Sequence, residues 1–357
     1  MRSTRWLVPI AVLAAVSGVA GVRASAAGAA PALPSITPAA LLVKVSQAKV
    51  ESLSGVVQSS TNLGLPSLPD TGGALSPQAL LAGQHTLRVY LDGPERQRVD
   101  LLGTLAETGA VHNGRDVWQW SSSTNKATHS TLPTDASARP QAGKPEAGTP
   151  QALAHELLAA IDPTTTVSVG TAATVAGRSA YDLRLAPKSS DSLIRRADLY
   201  VDARTGLPLR VTILARGSAQ PSVDVGYTAI DLRAPAARVF RFTPPPGAKV
   251  TQLPLPAAPA AGRNTGHQVA DRATHGARPT VLGSGWTAVA ELRTGGGMLG
   301  TSGQLGMLMR GAAHLDGRVP GRVIQTHLLT VLIADDGRIF AGAVTKAALL
   351  KAASSAG

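Results

Sequence analysis

Apolar and polar residues alternate with a period of two through most of the chain between residues 85 and 230. Leu87, Val89 and Leu91 alternate with polar residues before an Asp-Gly-Pro turn, which is typical of half-buried antiparallel strands. An Asn113-Gly114 pair between two such runs predicts a two-residue hairpin. Further strands are predicted at residues 53–58, 99–101, 110–112, 117–120, 167–169, 181–185, 199–201, 209–213 and 223–227.

Two short segments carry helical spacing instead. Each opens with a threonine and a proline, Thr37-Pro38 and Thr149-Pro150, which suit the N-cap and the first helical position. Because each helix has an apolar stripe to bury, the pattern predicts an α+β fold in which both helices cover one face of an antiparallel sheet. The stripes consist of Leu41, Leu42 and Val45 in the first helix and of Leu153, Leu157 and Leu158 in the second.

The two ends of the chain differ from this central region. Residues 1–26 are typical of an export signal, with arginines, an apolar run and a small-residue cleavage motif; an uncleaved membrane anchor is the alternative. Residues 27–252 are then expected to form the main domain, and 253–280 a linker rich in proline and alanine. Residues 281–357 are expected to be a β-rich extension, either a small second domain or extra strands on the main sheet. Its predicted elements are a strand at 286–292, a hairpin within 328–344 and a helix at 345–352.

A proline run follows the last central strand. Phe240 and Phe242 alternate along the chain just before Pro244-Pro245-Pro246, and Gly247 can supply a bend. Since proline cannot donate a ladder hydrogen bond, the segment predicts a strand that carries both phenylalanines on one face and ends at the prolines.

Composition excludes several classes of protein. The chain has no cysteine, which rules out disulfides, thiol catalysis and thiolate metal sites. The formal charge is +12, and removing Arg2, Arg5 and Arg23 with the signal leaves 31 basic and 22 acidic residues, or +9. The basic residues are dispersed, which favours a solvated surface over a patch for anionic lipid headgroups. Aromatic residues make up 3% and no recognition motif is present, so nucleic acid is not an expected partner. Arginine outnumbers lysine 26 to 8, which favours a GC-rich genome such as an actinobacterium's.

No motif for catalysis or for a cofactor has the surroundings it needs. Gly295-x-Gly297-x-x-Gly300 has the spacing of a dinucleotide fingerprint but no βαβ unit around it. His155-Glu156 lacks the second histidine of a metalloprotease, and Asp335-Asp336 falls in a glycine turn. The methionines at 298, 307 and 309 predict either a loosely packed loop or a second apolar lid. The sequence therefore predicts no enzyme, no cofactor and no metal site, with an envelope hydrolase of unrecognised type as the remaining alternative.

Several motifs of the central region occur in the order found in one superfamily. They are the turn and strand Asn113–Trp120, the helix start Thr149-Pro150, the strand end Leu185-Ala186-Pro187-Lys188, the hairpin Asp202–Leu209 and the segment Phe240–Pro245. On these motifs, residues 37–250 resemble the LolA/RseB superfamily of outer-membrane lipoprotein carriers (LolA) and sigma-factor regulators (MucB/RseB). The chain departs from the family pattern in a long insertion at 59–84, in Asn113, Ala186 and Trp120, and in about a hundred residues after Val250.

The resemblance implies an unclosed (half) β-barrel, in which a curved antiparallel sheet carries lid helices on its concave face. It also implies an apolar cavity for acyl chains between sheet and helices, and therefore an exported, monomeric carrier of lipid or acylated lipoprotein that hands its cargo to a membrane transporter. The alternative is a sensor of the same fold that controls an anti-sigma factor.

The apolar members of the alternating strands are the candidates for the lining of this cavity. Trp118 is the foremost one, because it also matches the apolar-Trp-x-aromatic motif of the family. The alternative for each residue is a place in a packed core, since alternation identifies a face and not a void. The candidates are Leu87, Val89, Leu91, Val99, Leu101, Trp118, Trp120, Leu183, Leu185, Val211 and Ile213.

Overall fold

The computed structural model describes residues 31–64, 83–103, 106–132, 148–159, 161–253, 280–293 and 312–356. The predicted export signal, the glycine fingerprint, the methionine stretch and most of the predicted linker lie outside these residues. Thirteen strands of the described part form one large curved sheet that does not close into a barrel. This agrees with the α+β fold expected from the sequence.

The strands of the large sheet follow one another mostly as hairpins. Every described strand pair in it is antiparallel except the pair between the last strand and the sixth. The strands are β1 (Ser52–Thr61), β2 (Gly83–Asp92), β3 (Arg96–Leu102), β4 (Glu107–Asn113), β5 (Asp116–Ser121), β6 (Lys126–Thr131), β7 (Thr165–Val169), β8 (Ala173–Val175), β9 (Arg178–Pro187), β10 (Ile194–Asp202), β11 (Pro208–Ala215), β12 (Pro221–Asp231) and β13 (Lys249–Gln252). Their order is β13-β6-β5-β4-β3-β2-β1-β12-β11-β10-β9-β7, and β8 also pairs with β9.

The hairpin predicted around Asn113-Gly114 is present, but its turn lies one residue later. Asn113 pairs with Asp116, so the turn residues are Gly114 and Arg115. Gly114 has a φ of +63°, which suits the first position of a type II′ turn, where glycine is favoured.

Both helices of the central region begin where the sequence predicts. They are α1 (Pro38–Ser46) and α2 (Pro150–Ala159). The hydroxyl of Thr37 accepts a hydrogen bond from the amide of Ala40 at 3.2 Å, and that of Thr149 accepts one from Ala152 at 3.3 Å. Each threonine thereby satisfies an amide that the helix leaves without an internal partner. Within the described ranges, no helix has the length and apolar character needed to span a membrane.

The strand register divides the large sheet into two faces, because directly paired residues project to the same side. One face carries Leu183, Leu199, Val211 and Val225 as successive partners across β9 to β12. It continues through β1 and β2, where Val57 pairs with Leu87. We call it the helix face, because α1 and α2 pack on it.

The opposite side of the same strands is mostly polar, and we call it the charged face. It carries Asp182, Arg184 and Asp198 on β9 and β10, and Arg210 and Asp224 on β11 and β12. The alternation that predicted the strands therefore holds over most of the sheet.

The segment around Phe240 is not the strand end that the sequence predicted. Residues Ala237–Phe240 form a 3₁₀ turn, and the chain stays irregular until β13, which pairs in parallel with β6. Arg98 fixes the 3₁₀ turn by donating a hydrogen bond to the carbonyl of Val239 at 3.1 Å. Three consecutive prolines cannot join a ladder, so the chain crosses the charged face before it returns as an edge strand. Phe240 is 1% exposed there, and Phe242 contacts Trp118.

Residues 280–293 and 312–356 form a second sheet, separate from the large one, with its own core. The helix α3 packs against it and contributes Leu349 to a cluster with Leu332, Phe340 and Val344. Trp286 lies in a 3₁₀ turn, not in the strand predicted for it, because the strand starts only at Val289. The elements are β14 (Thr280–Leu282), β15 (Val289–Arg293), β16 (Ala313–Leu315), β17 (Gly321–Gln325), β18 (Thr330–Ala334), β19 (Arg338–Gly342) and α3 (Lys346–Ser355).

Candidate functional site

The helix face is covered by two short helices that present small apolar stripes. Leu41 and Val45 of α1 are 0% and 7% exposed, and Ala154 and Leu157 of α2 are 1% and 8% exposed. These four side chains belong to one cluster with residues of β9, β10 and β11. The other predicted stripe residues, Leu42, Leu153 and Leu158, are partly buried against the same cluster. The helices are thus placed as the sequence predicted.

Nine of the eleven predicted lining residues lie on the helix face. Those of β9 and β11 are packed directly under α1 and α2, and those of β2 and β3 form a neighbouring cluster with Leu53, Val57 and Tyr227. The first group is Leu183, Leu185, Val211 and Ile213; the second is Leu87, Val89, Val99 and Leu101, with Leu91 partly buried at its edge.

Trp118 and Trp120 lie on the other side of the sheet, contrary to the prediction. Trp118 pairs with Val111 and Trp120 with Gly109, and these two residues pair with Arg98 and Asp100 of the charged face. Trp118 stacks on His129, with 4.2 Å between the ring centroids. The family motif placed a tryptophan in this strand correctly but could not say which face it takes, because that depends on the register of β4 and β5.

Trp286 of the second sheet is inserted into the core beneath the helices. It is 7% exposed and belongs to the cluster of Leu41, Leu157 and Leu185. Its indole Nε1 donates a hydrogen bond to the hydroxyl of Thr165, at the start of β7, at 2.7 Å. The sequence pattern did not predict this role, because it placed Trp286 in a strand of the extension. The only hint of a buried role was weak: Trp286 is one of just four tryptophans in the chain.

Backbone hydrogen bonds also join the second sheet to the large one. The amide of Leu193 donates to Ala343 at 2.9 Å, and the amide of Thr345 donates to Asp191 at 2.7 Å. At a separate point, the amide of His327 donates to Leu63 at 2.9 Å. Contacts at several points, together with Trp286, attach the second sheet firmly to the helix-covered part of the first.

A polar contact holds the beginning of α2 in place. Tyr227 is 4% exposed, and its hydroxyl donates a hydrogen bond to Gln151 Oε1 at 3.1 Å. The side-chain nitrogen of Gln151 donates in turn to the carbonyl of Pro208 at 3.2 Å. Burial raises the pKa of Tyr227 to about 12, so its hydroxyl stays a donor over the physiological range.

The charged face holds carboxylates that are almost completely buried. Asp182 and Asp198 are 1% and 2% exposed. Arg184 Nε lies 2.8 Å from Asp182, and Arg196 Nε lies 3.0 Å from Asp198. One oxygen of each carboxylate has no hydrogen-bond partner among the described residues. Burial, together with the nearby charge of Asp198, raises the pKa of Asp182, and Arg184 only partly offsets this rise.

No group of three or more histidine, aspartate or glutamate side chains within the described ranges is placed to hold a metal ion. His155 and Glu156 are exposed on α2, away from its buried stripe. What the helix face offers chemically is therefore apolar area beneath two short helices of nine and ten residues.

Comparison with known proteins gives a distant likeness. No family model matches the sequence, and a search of curated proteins also finds no match. Solved structures do give matches. The chain is similar to MucB and to a LolA superfamily protein.

The MucB structure is that of the Pseudomonas aeruginosa MucA/MucB complex, at 17% identity and a TM-score of 0.40, covering 88% of this chain and 96% of that chain. The LolA superfamily protein is from Nitrosomonas europaea, at 12% identity and a TM-score of 0.23, covering 58% of this chain and 99% of that one. A conserved protein from Thermus thermophilus matches at 15% identity and a TM-score of 0.33, covering 60% of this chain and 97% of that chain. The first two structures carry the names of the superfamily that the sequence motifs resemble, and at such values no function is transferred from them.

Proposed function

We propose that this protein is an exported, non-catalytic carrier that binds the acyl chains of a lipid or lipoprotein on the helix face. The observation that supports the proposal is that two short helices cover this apolar face. An apolar surface of β9 to β12 is closed by two helices of nine and ten residues, and it continues into the apolar cluster of β1 to β3, which Leu153 of α2 contacts. Helices of this length are marginal in water by themselves, so α1 and α2 are held mainly by their contacts with the sheet.

The free energy gained when the two helices dock on the sheet is similar to the free energy gained when the sheet buries an acyl chain. Burying Leu41, Val45 and Leu157 contributes about 5 to 9 kcal/mol, at about 1.5 to 3 kcal/mol for each side chain. An acyl chain that buries ten methylenes gains about 8 kcal/mol before ordering costs. An acyl chain can therefore replace the helices on the sheet at a small net cost, and the helices can close again when the cargo leaves for a membrane transporter.

The first test is whether acyl cargo is present and bound. Native mass spectrometry of the exported protein, followed by organic extraction, is expected to find an acylated species at defined stoichiometry. Titration with an N-palmitoylated peptide is expected to show binding, and the same peptide without the acyl chain is expected to show none. A ligand-free mass together with no uptake of the palmitoylated peptide would refute the proposal.

A matched pair of variants on α1 tests whether the helices are displaced. Val45→Ala weakens the docking of α1, because Val45 is 7% exposed, whereas Val43→Ala alters a side chain that is 51% exposed on the same helix. If cargo replaces the helix, Val45→Ala is expected to raise the affinity for the palmitoylated peptide by up to about tenfold. Val43→Ala should leave the affinity unchanged. Equal affinities in both variants would mean that α1 does not move.

One observation favours a second candidate function, that of a sensor. Trp286 places the second sheet in the same core as α1 and α2, so displacement of the helices removes packing from the only tryptophan described in that sheet. Bound cargo would then change the second sheet as well, and that sheet could act on an anti-sigma factor.

Hydrogen exchange with and without the palmitoylated peptide separates the two functions. A carrier is expected to change protection in α1, α2 and the turn that holds Trp286, without a change in the strands of the second sheet. A sensor is expected to change protection in β15, β19 and α3 as well. Trp286→Phe, which keeps most of the packing but removes the hydrogen bond to Thr165, should reduce that second response only in the sensor.

A further inference from the structure

A cavity on the charged face has a chemistry that the proposed carrier function does not use. Its volume is about 580 Å³, within the range of about 300 to 1,000 Å³ typical of small-molecule sites. Gln58 and Thr86 pair across β1 and β2, and Gly226 pairs with both Gln58 and Arg210. The register therefore places these residues together on the side of the sheet opposite to α1 and α2.

The floor of the cavity is a patch of neutral hydrogen-bonding groups. The side chains of Gln58, Ser60, Gln84 and Thr86 line it and make no hydrogen bond within the described part of the chain. Thr174, on the strand before the β8–β9 turn, lines the opposite wall. Amides and hydroxyls both donate and accept, so this set suits a partner that carries many such groups itself.

An ion pair forms the far end of the floor. Arg210 Nε donates to Asp224 at 2.8 Å, and the guanidinium lies 5.9 Å from the ring centre of Tyr200. Gly226 lets the arginine lie flat on the sheet, because a Cβ at that position would be 2.7 Å from Arg210 Cγ. The absence of a side chain at Gly226 therefore leaves the space that Arg210 occupies in the floor of the cavity.

The lining excludes several classes of ligand. Arg210 is already neutralised by Asp224, so no unpaired arginine or lysine of the described lining is available for a phosphate or carboxylate. In the described lining, Leu102, Val175, Ala176 and the ring of Tyr227 are the apolar groups, too few for an acyl chain. The strands of the floor cannot take an added peptide strand, because β1, β2, β11 and β12 already pair on both sides.

We infer that this cavity is a binding site for a neutral polyhydroxylated ligand, a short saccharide. Sugar hydroxyls can donate to and accept from the amide and hydroxyl groups of the floor, and vicinal hydroxyls can accept from Arg210 and donate to Asp224. The inference does not rest on the proposed acyl site, because the floor of the cavity lies on the opposite face of the sheet. Tyr227, whose hydroxyl contacts Gln151 of α2, is a lining residue that the cavity shares with the helix face.

The test uses the full chain and three neutral trisaccharides, maltotriose, mannotriose and triacetylchitotriose. Saturation-transfer NMR and calorimetric titration are expected to detect binding of at least one of them. Gln58→Met and Thr86→Val, which keep size while removing hydrogen-bonding groups, are each expected to weaken binding about tenfold. Gln119→Met and Thr128→Val are matched controls in β5 and β6, with the same exposure classes, and should stay within about twofold of the parent.

Three results would overturn the inference. The first is no binding of any of the three saccharides. The second is equal weakening in the cavity variants and in the controls. The third is displacement of the saccharide by the N-palmitoylated peptide, which would place both ligands at one site. Failure of acyl binding alone would leave the inference intact, because the saccharide titration is read separately.

Discussion

The helix face and the charged face of the large sheet are made of alternate residues of the same strands, yet they are covered by different means. Leu183 and Leu199 on one side are buried by apolar contact, which has no preferred direction. Asp182 and Asp198 on the other side are buried to 1% and 2% exposure and depend on arginine nitrogens at 2.8 and 3.0 Å. One apolar group can replace another as the cover of an apolar surface. Removing the arginine from a buried carboxylate is strongly destabilising, because an uncompensated charge then stays buried. The cover of the helix face is therefore the exchangeable one, and the charged face is the rigid one.

The largest effect is expected on the helix face, from Leu199→Ala. Leu199 is 0% exposed and pairs with both Leu183 and Val211, so truncation removes contacts and leaves a cavity. We expect a loss of about 2 to 5 kcal/mol in the free energy of unfolding, measured by urea denaturation. Leu329→Ala is the control, because Leu329 is 38% exposed in the turn between β17 and β18, and it should cost less than about 1 kcal/mol. Equal losses of unfolding free energy in the two variants would mean that burial on the helix face contributes no more stability than a partly exposed position does.

A smaller effect is expected from Trp118→Ala on the charged face. Trp118 is half-buried and contacts His129 and Phe242, so its truncation should cost about 1 to 3 kcal/mol of stability. Because Trp118 lies on the face opposite to α1 and α2, the affinity for an N-palmitoylated peptide should stay unchanged when measured at a temperature where the variant is folded. A loss of acyl affinity in Trp118→Ala without a similar loss in Trp120→Ala would contradict the assignment of the two faces.

The sequence predicted the elements better than it predicted their surroundings. Alternation and the Thr-Pro pairs located the central strands and both helices, because period and capping are local properties. The face taken by Trp118 depends on pairing between β4 and β5, and the role of Trp286 depends on contact with residues more than a hundred positions away. Nor could the sequence predict the cavity on the charged face, because its lining comes from β1, β2, β3, β8, β11 and β12. Such contacts between distant segments leave no periodic pattern.

The smallest expected effect is a change in how the stability of the fold depends on pH. Burial and the charge of Asp198 raise the pKa of Asp182, so the folded chain holds this proton to a higher pH than the unfolded chain does. Between the ordinary aspartate pKa and the raised one, this group therefore lowers stability as pH rises, and above that range its cost stays constant. Asp182→Asn removes this contribution, so the stability of the variant relative to the parent should increase as pH rises through that window, measured by urea denaturation at a series of pH values.

Asp231→Asn is the control and should show the opposite trend. Hydrogen bonds from Arg233 lower the pKa of Asp231 to about 2, and the stability that Asp231 contributes is lost as pH falls toward that value. Parallel trends in the two variants would contradict the view that the charged face holds its carboxylates by burial as well as by pairing.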